Sequence, residues 1–453
     1  MEQVVEENKI HPVDRKLPAW QLFVYGLQHV LAMYSGAVAV PLILAGALQL
    51  DKESLIYIIN ADLFTCGVAT LIQTLGCSHY VGAKLPVMQG CTFAAVTPMI
   101  MIGSGAGGGI DGLRTVYGAV IVAGIICFVL CTYFSKILRF FPPVVTGTIV
   151  TIIGLSLMPV AVRWIGGGNP SAPDFCDPSH ILLSLFVLAV ILFFYRTFSG
   201  FWSNIAVLIG LAIGTVVAFT LGLVDFSAVG TAGYIGVTTP FAFGMPIFDP
   251  ASILAMTVVM LVCMAETTGD IIAVSEIVDK PISQPILARA LRTDGLATIL
   301  GGILNAFPYT AFAQNIGLVS LTGVRSRFVV ATGGIILMVL GLFPKLAAIV
   351  ASVPNSVLGG AGIAMFGMVA ASGIKTLSKI DFDEGCNMML VAVTIGVALI
   401  PVGVPGFYAK FPNWAQLILN SGITIGSLVA IVLNIILNSA KKHDMDIGQR
   451  EYL

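Results

Sequence analysis

The protein has 453 residues, 57% of them hydrophobic and 10% charged, with a mean hydropathy of +0.98 and a formal net charge of -1. This composition excludes a soluble multidomain enzyme and places the chain among polytopic membrane proteins, and its charge implies nothing about nucleic acid. No loop is long enough to hold a nucleotide-binding domain, which argues against an ATP-driven pump.

In chain order, residues 1–19 are polar and lack the basic start, short apolar core and small-residue cleavage site of a signal peptide, so the first span is expected to be retained. Apolar runs then predict an all-α protein of about fourteen spans. They lie near 20–42, 55–76, 86–102, 113–134, 142–164, 178–195, 201–223, 250–274, 286–305, 309–323, 327–349, 354–373, 384–402 and 415–438. With the N-terminus inside, Lys9, Arg15, Lys16, Lys84, Lys136, Arg139, Arg196, Lys280, Arg289, Arg292, Arg325, Arg327, Lys375, Lys379, Lys441, Lys442 and Arg450 face the inner side. Only Lys52, Arg114, Arg163, Lys345 and Lys410 face outward, and this bias predicts an even number of spans with both termini cytoplasmic. Trp20, Trp164, Trp202 and Trp414 each fall at a predicted span end, where an indole prefers the headgroup interface. The cysteines include no CxxC pair and suggest neither disulfides nor zinc. Cys127 and Cys131, one helical turn apart, read as small packing residues.

Polar residues interrupt the apolar background at a few places. His29, in Gly26-Leu27-Gln28-His29, lies on the first span, where it suits an architectural hydrogen bond and proton handling equally. The third run, Leu85-Pro86-Val87-Met88-Gln89-Gly90-Cys91-Thr92-Phe93-Ala94, is short and punctuated by Pro and Gly. A Gly/Pro-rich stretch at 224–249 then divides the spans seven and seven, and an odd number per half gives the halves opposite topology. On the eighth span Glu266 and Asp270 are four apart and share a helix face. An acid at the bilayer centre costs roughly 2.5–3.5 kcal/mol, so these two and Asp294 are expected to face a cavity or one another. Two carboxyl groups this close make a candidate proton carrier. For Asp294 an ion pair with Arg292 or a helix cap near the surface is the competing reading.

The tenth run carries Gln314-Asn315-Ile316-Gly317-Leu318-Val319-Ser320-Leu321-Thr322-Gly323. Broken spans at matched places in two halves point to a binding site at the midplane, because irregular backbone is tolerated there only beside protein or water. Small residues that merely let helices pack explain either segment alone, but not the matched placement.

The pattern Gln314-Asn315-x-Gly317-x-x-x-x-Thr322-Gly323 resembles the signature of the nucleobase-ascorbate transporters, also called nucleobase:cation symporter-2. The resemblance extends along the chain through Gln28-His29, Gln89-Gly90-Cys91-Thr92-Phe93, Glu266-x-x-x-Asp270 and Asp294-Gly295. It implies fourteen spans as a 7+7 inverted repeat, with core-domain segments at 20–134 and 250–349 and gate-domain segments at 135–249 and 350–438. Residues 1–19 and 439–453 are then cytoplasmic tails. The family is one of cell-membrane homodimers that slide core against gate and couple transport to protons, with no further cofactor.

By position, the resemblance makes Glu266 and Gln314 the side chains that hold a base, with backbone near Phe93 and Ala313 completing the site. A carboxylate accepts from ring N–H groups, and an amide both donates and accepts. Asp270, Asp294 and His29 become a proton-linked network, with Asn315 fixing the motif backbone and Gly317, Thr322 and Gly323 lining the path. A Gln-Asn opening resembles carriers of xanthine or uric acid rather than uracil. Ala94 stands where many xanthine-selective members carry Asn, leaving room for the C8 oxygen of uric acid.

Three alternatives remain: a uracil or other nucleobase permease of the same family, an intramembrane enzyme using the Glu266/Asp270 pair, and an anion exchanger or channel on the same fold. No HExxH, nucleophile elbow or Cys/His cluster supports the enzyme. A central carboxylate is the wrong charge for an inorganic anion site.

Overall fold

The structure, a computed structural model, describes residues 11–133, 140–383 and 385–438. The greater part of each expected tail, with Lys9, Lys136, Arg139, Lys441, Lys442 and Arg450 of the charge count, lies outside the described residues. Each of the fourteen apolar runs contains helix. Among the described residues, the helices of seven or more residues are α1 (Ala19–Leu48), α2 (Lys52–Leu75), α3 (Val96–Gly105), α4 (Gly109–Leu130), α5 (Pro143–Ile165), α6 (Pro178–Thr197) and α7 (Ala206–Thr220) in the first half. The second half has α8 (Pro250–Val278), α9 (Gln284–Ile303), α10 (Ala313–Thr322), α11 (Arg327–Leu340), α12 (Pro344–Ala351), α13 (Asn355–Leu377), α14 (Asn387–Gly403), α15 (Asn413–Leu419) and α16 (Gly422–Asn438). Among the described residues, seven helices are each long and apolar enough to cross a membrane.

Local chemistry sets the helix ends. Proline opens α5, α6, α8 and α12, at the position where a missing N–H costs nothing. Asp249 caps α8 by accepting from the Ser252 N–H at 2.8 Å, and Asp177 caps α6 through the Ser179 N–H at 2.8 Å. The expected eleventh span is two helices, α11 and α12, bent by 84° where Pro344 starts a new helix after Gly341-Leu342-Phe343. The fourteenth is likewise divided into α15 and α16. By contrast, Pro41 does not interrupt α1, which continues to Leu48. A proline at 41 leaves the Ala37 carbonyl without its helical donor, and the Cys91 thiol takes that place at 3.3 Å.

Small residues let the helices approach closely. A Cβ on Gly67 of α2 would lie 2.4 Å from the Gly334 carbonyl of α11, and one on Gly154 of α5 would lie 2.4 Å from the Ala370 nitrogen of α13. Helices α1 and α2 pack on α11, and α4 packs on α8 and α9. Elsewhere α5, α6 and α7 pack on α13, and α14 packs on α16. Three of the four tryptophans are exposed, as expected for an interface. Trp164 is the exception at 6% exposure, buried against Phe366 rather than facing lipid.

The third and tenth runs each open in an extended segment. Strand β1 (Gln89–Cys91) pairs antiparallel with β2 (Tyr309–Ala311), with Gln89 opposite Ala311 and Gly90 opposite Thr310. The ladder is extended by Thr92 N–H to the Pro308 carbonyl at 3.0 Å and Phe312 N–H to the Met88 carbonyl at 2.9 Å. Backbone groups that would otherwise be stranded in an apolar interior thereby satisfy one another. Gly90 is required at the centre because its Cβ would fall 2.5 Å from the Phe312 ring.

Candidate functional site

The paired strands define a local two-fold about the Gly90/Thr310 pair, which relates Phe93 to Ala313 and Ala94 to Gln314. Helical structure begins at those related positions, Phe93 on one side and Ala313 on the other. Helix α8 packs against β2, α10 and the helical turn at Phe93–Ala95, so the helix bearing Glu266 and Asp270 runs beside both broken segments.

Glu266 and Asp270 are both half-buried, one turn apart. One Asp270 oxygen is buried with no protein partner. Gln314 and Ala313 are exposed, whereas Asn315 is fully buried. The Asn315 amide donates to the His29 carbonyl at 2.8 Å and lies 3.0 Å from His29 Nδ1, which ties α10 to α1. Phe93 is half-buried and meets Phe366 of α13 edge-on at 6.0 Å between ring centres. Ala94 is buried, with its N–H directed 3.1 Å to Thr92 Oγ1.

Asp294 is fully buried within α9 and accepts from Gln89 Nε2 at 3.0 Å. The competing reading of Asp294, an ion pair with Arg292 or a helix cap near the surface, is overturned. Arg292 turns instead to the Tyr80 carbonyl and Thr132 Oγ1 at 3.2 and 3.0 Å. The second Asp294 oxygen and Gln89 Oε1 have no hydrogen-bond partner.

The end of the signature has a structural role. Thr322 closes α10, and Gly323 caps it in the left-handed region at φ 66°, donating its N–H to the Val319 carbonyl. Gly317 is exposed, and a Cβ there would meet nothing within 4 Å. Arg325 then pairs with Asp279, while Arg327 and Lys280 reach Asp14 at 2.7 and 3.3 Å.

Sequence reading missed one buried acid. Asp62 on α2 is fully buried and accepts from the Tyr309 hydroxyl at 2.8 Å. Its place inside the second apolar run was the available signal. All eight cysteines are free thiols, and no group of three metal-ligating side chains occurs among the described residues. A cavity of about 660 Å³ bordered by Met101, Ser104, Ser252 and Trp414 has none of Phe93, Glu266, Asp270, Asp294 or Gln314 in its lining.

A family profile described as "Permease family" matches residues 20–407. The xanthine permease of Bacillus subtilis (strain 168) is 46% identical over 94% of this chain and 96% of its own. The uric acid transporter UacT of Escherichia coli (strain K12) is 44% identical over 97% of this chain and 90% of its own. Among solved structures, the transmembrane domain of the cyanobacterial bicarbonate transporter BicA aligns with a TM-score of 0.57 at 14% identity, covering 92% of this chain and 98% of that one. A structure of SLC26A9 aligns at 0.61 with 12% identity, covering 94% of this chain and 67% of that one. At such identity these two likenesses concern the fold alone.

Proposed function

The chain belongs to the nucleobase-ascorbate transporter family, a family of multi-pass membrane permeases rather than enzymes, and on that premise we propose that it imports oxidised purines, uric acid or xanthine, with protons. The observation that carries this reading is the meeting of an intramembrane carboxylate with two broken, strand-paired segments. Glu266 accepts from the N–H groups of the purine, and the exposed Gln314 amide supplies a donor and an acceptor. Phe93 packs on the ring, with backbone near Phe93 and Ala313 completing the contacts. Such a site favours a nucleobase over the small anions carried by proteins of similar fold, because its central carboxylate accepts from ring N–H groups that those anions lack.

Asp270, Asp294 and His29 form the proton-linked network. The unpartnered oxygens on Asp270 and Asp294 are acceptors that a proton or a rearranged partner satisfies. Asn315 holds α10 to α1, and Gly317, Thr322 and Gly323 lie along the path. Fourteen crossings in two inverted halves accord with the antiparallel strand pair, since a two-fold in the membrane plane reverses the direction of each related element. The packing of α1–α4 with α8–α11, and of α5–α7 with α13, α14 and α16, favours a core that slides against a gate. Both termini are cytoplasmic in this arrangement, and the working unit is a homodimer in the cell membrane.

Near-equal identity to a xanthine and a uric acid carrier leaves the choice between purines to the site. The deciding measurement is uptake of labelled urate and xanthine by cells or vesicles, each competed by the other, with and without a protonophore. Chemically unchanged purine should accumulate inside, and the protonophore should abolish accumulation. Uptake indifferent to the gradient removes the coupling, and a modified product revives the enzyme.

A further inference from the structure

The two strands are anchored by matching contacts. The first residue of each, Gln89 or Tyr309, is held through its backbone N–H by a threonine from a helix of its own half. Gln89 N–H reaches Thr70 Oγ1 at 3.0 Å, and Tyr309 N–H reaches Thr298 Oγ1 at 3.2 Å. Each also donates from its side chain to a fully buried aspartate on a helix of the other half, Gln89 to Asp294 at 3.0 Å and Tyr309 to Asp62 at 2.8 Å. Asp294 lies one helical turn before Thr298 and Asp62 two turns before Thr70, a difference the longer tyrosine side chain accommodates.

The anchors differ in one respect. Asp294 keeps an oxygen without a partner. At Asp62 both oxygens are engaged, Oδ1 by the Tyr309 hydroxyl and Oδ2 by the Cys66 thiol at 3.8 Å. A buried carboxylate is costly unless its acceptors are occupied, so a fully engaged one marks a fixed joint. Gly301 makes the joint possible, because a Cβ there would sit 3.0 Å from the Tyr309 ring and 2.2 Å from the Phe307 carbonyl.

We propose that Asp62 is a positioning residue for purine binding: by holding the Tyr309 hydroxyl it sets the start of β2, and thereby the place of Gln314 five residues on. The proposal rests on the purine-site reading above.

The test uses the purified full-length protein, with equilibrium binding of labelled urate and xanthine and amide hydrogen exchange over 309–316. Tyr309→Phe and Asp62→Val should each weaken purine binding about tenfold and speed exchange in that segment. The double variant should lose no more than either single, because both remove one joint. Asp62→Asn should stay within about twofold of the parent, since its amide oxygen still accepts from tyrosine. Unchanged binding and exchange in Tyr309→Phe overturns the proposal, as does Asn at 62 proving as harmful as Val. If the parent binds neither purine but exchange still responds as expected, the substrate reading falls and the joint stands.

Discussion

The Asn315 side chain holds His29 twice, donating one amide hydrogen to the His29 carbonyl at 2.8 Å and the other toward Nδ1 at 3.0 Å. A carbonyl only accepts, so the amide nitrogen must face it, and Nδ1 then accepts as well, leaving the ring proton on Nε2. Removing the amide leaves the buried Nδ1 without a donor, at a cost of about 1–3 kcal/mol, while the His29 carbonyl keeps only its helical partner within α1. Asn315→Ala should therefore lower purine uptake on the order of tenfold or more at equal membrane abundance. Asn315→Asp should be worse at neutral pH, because it turns an oxygen toward the carbonyl. Normal uptake in either variant would dismiss the contact as incidental.

Glu266 and Asp294 are predicted to separate binding from turnover. Glu266→Gln turns an acceptor pair into a donor and an acceptor facing purine N–H groups, and should weaken equilibrium binding by at least a hundredfold. Asp294→Asn should bind purine within a few-fold of the parent yet lose most of its uptake. Equal effects of the two substitutions on binding and uptake would merge their roles.

Ala94 tests substrate choice. Its side chain is buried where the site approaches α8, so Ala94→Asn adds bulk and polarity at that point. Urate uptake should fall several-fold further than xanthine uptake, since only urate carries the C8 oxygen. A parallel loss of both would assign the residue to packing alone.

Gly67 offers a test of the packing itself. Gly67→Ala drives a Cβ into the Gly334 carbonyl and should cost about 1–3 kcal/mol, read as a lower melting temperature in detergent. Gly46→Ala, with nothing within 4 Å of the new carbon, is the control and should melt at or slightly above the parent temperature.

Asp14 lies outside the spans and gives a pH prediction. Partial burial raises its pKa, but the Arg327 hydrogen bond and the charges of Lys280 and Arg327 outweigh this and hold the carboxyl below its usual range. A depressed folded-state pKa contributes stability that is present above about pH 4 and lost as pH falls through the folded value. Protection of the amides over residues 11–18, taken relative to their intrinsic exchange rate at each pH, should fall on acidification, and Asp14→Asn should show low protection already at neutral pH. A parent whose protection ignores this range would contradict the anchoring.

Much of the site was legible because polarity in an apolar chain is costly and therefore conspicuous. Glu266, Asp270, Asp294 and the Gln314-Asn315 pair stood out on that ground alone, and the two broken runs met as strands. Asp294 was visible while its partner was not: Arg292 is near in sequence, but helical geometry turns it outward and brings Gln89 from 205 positions away. Asp62 escaped notice because a single acid near the start of a long run looks like an interfacial residue until Tyr309 is seen beside it. Trp164 misled for the opposite reason, since a span end can lie inside the protein.

The amino-acid pattern by itself determined the solvent, the approximate runs and the residues too polar for lipid, because the energy of transfer into hydrocarbon depends on composition and length. Tertiary structure decided which polar groups pair, that α1 passes through Pro41, that the eleventh run bends by 84°, and that two strands brace each other across the halves. Those outcomes depend on hydrogen-bond partners supplied from distant segments, and hydrogen bonds are short-ranged and directional. No local sequence pattern contains both ends of such a bond.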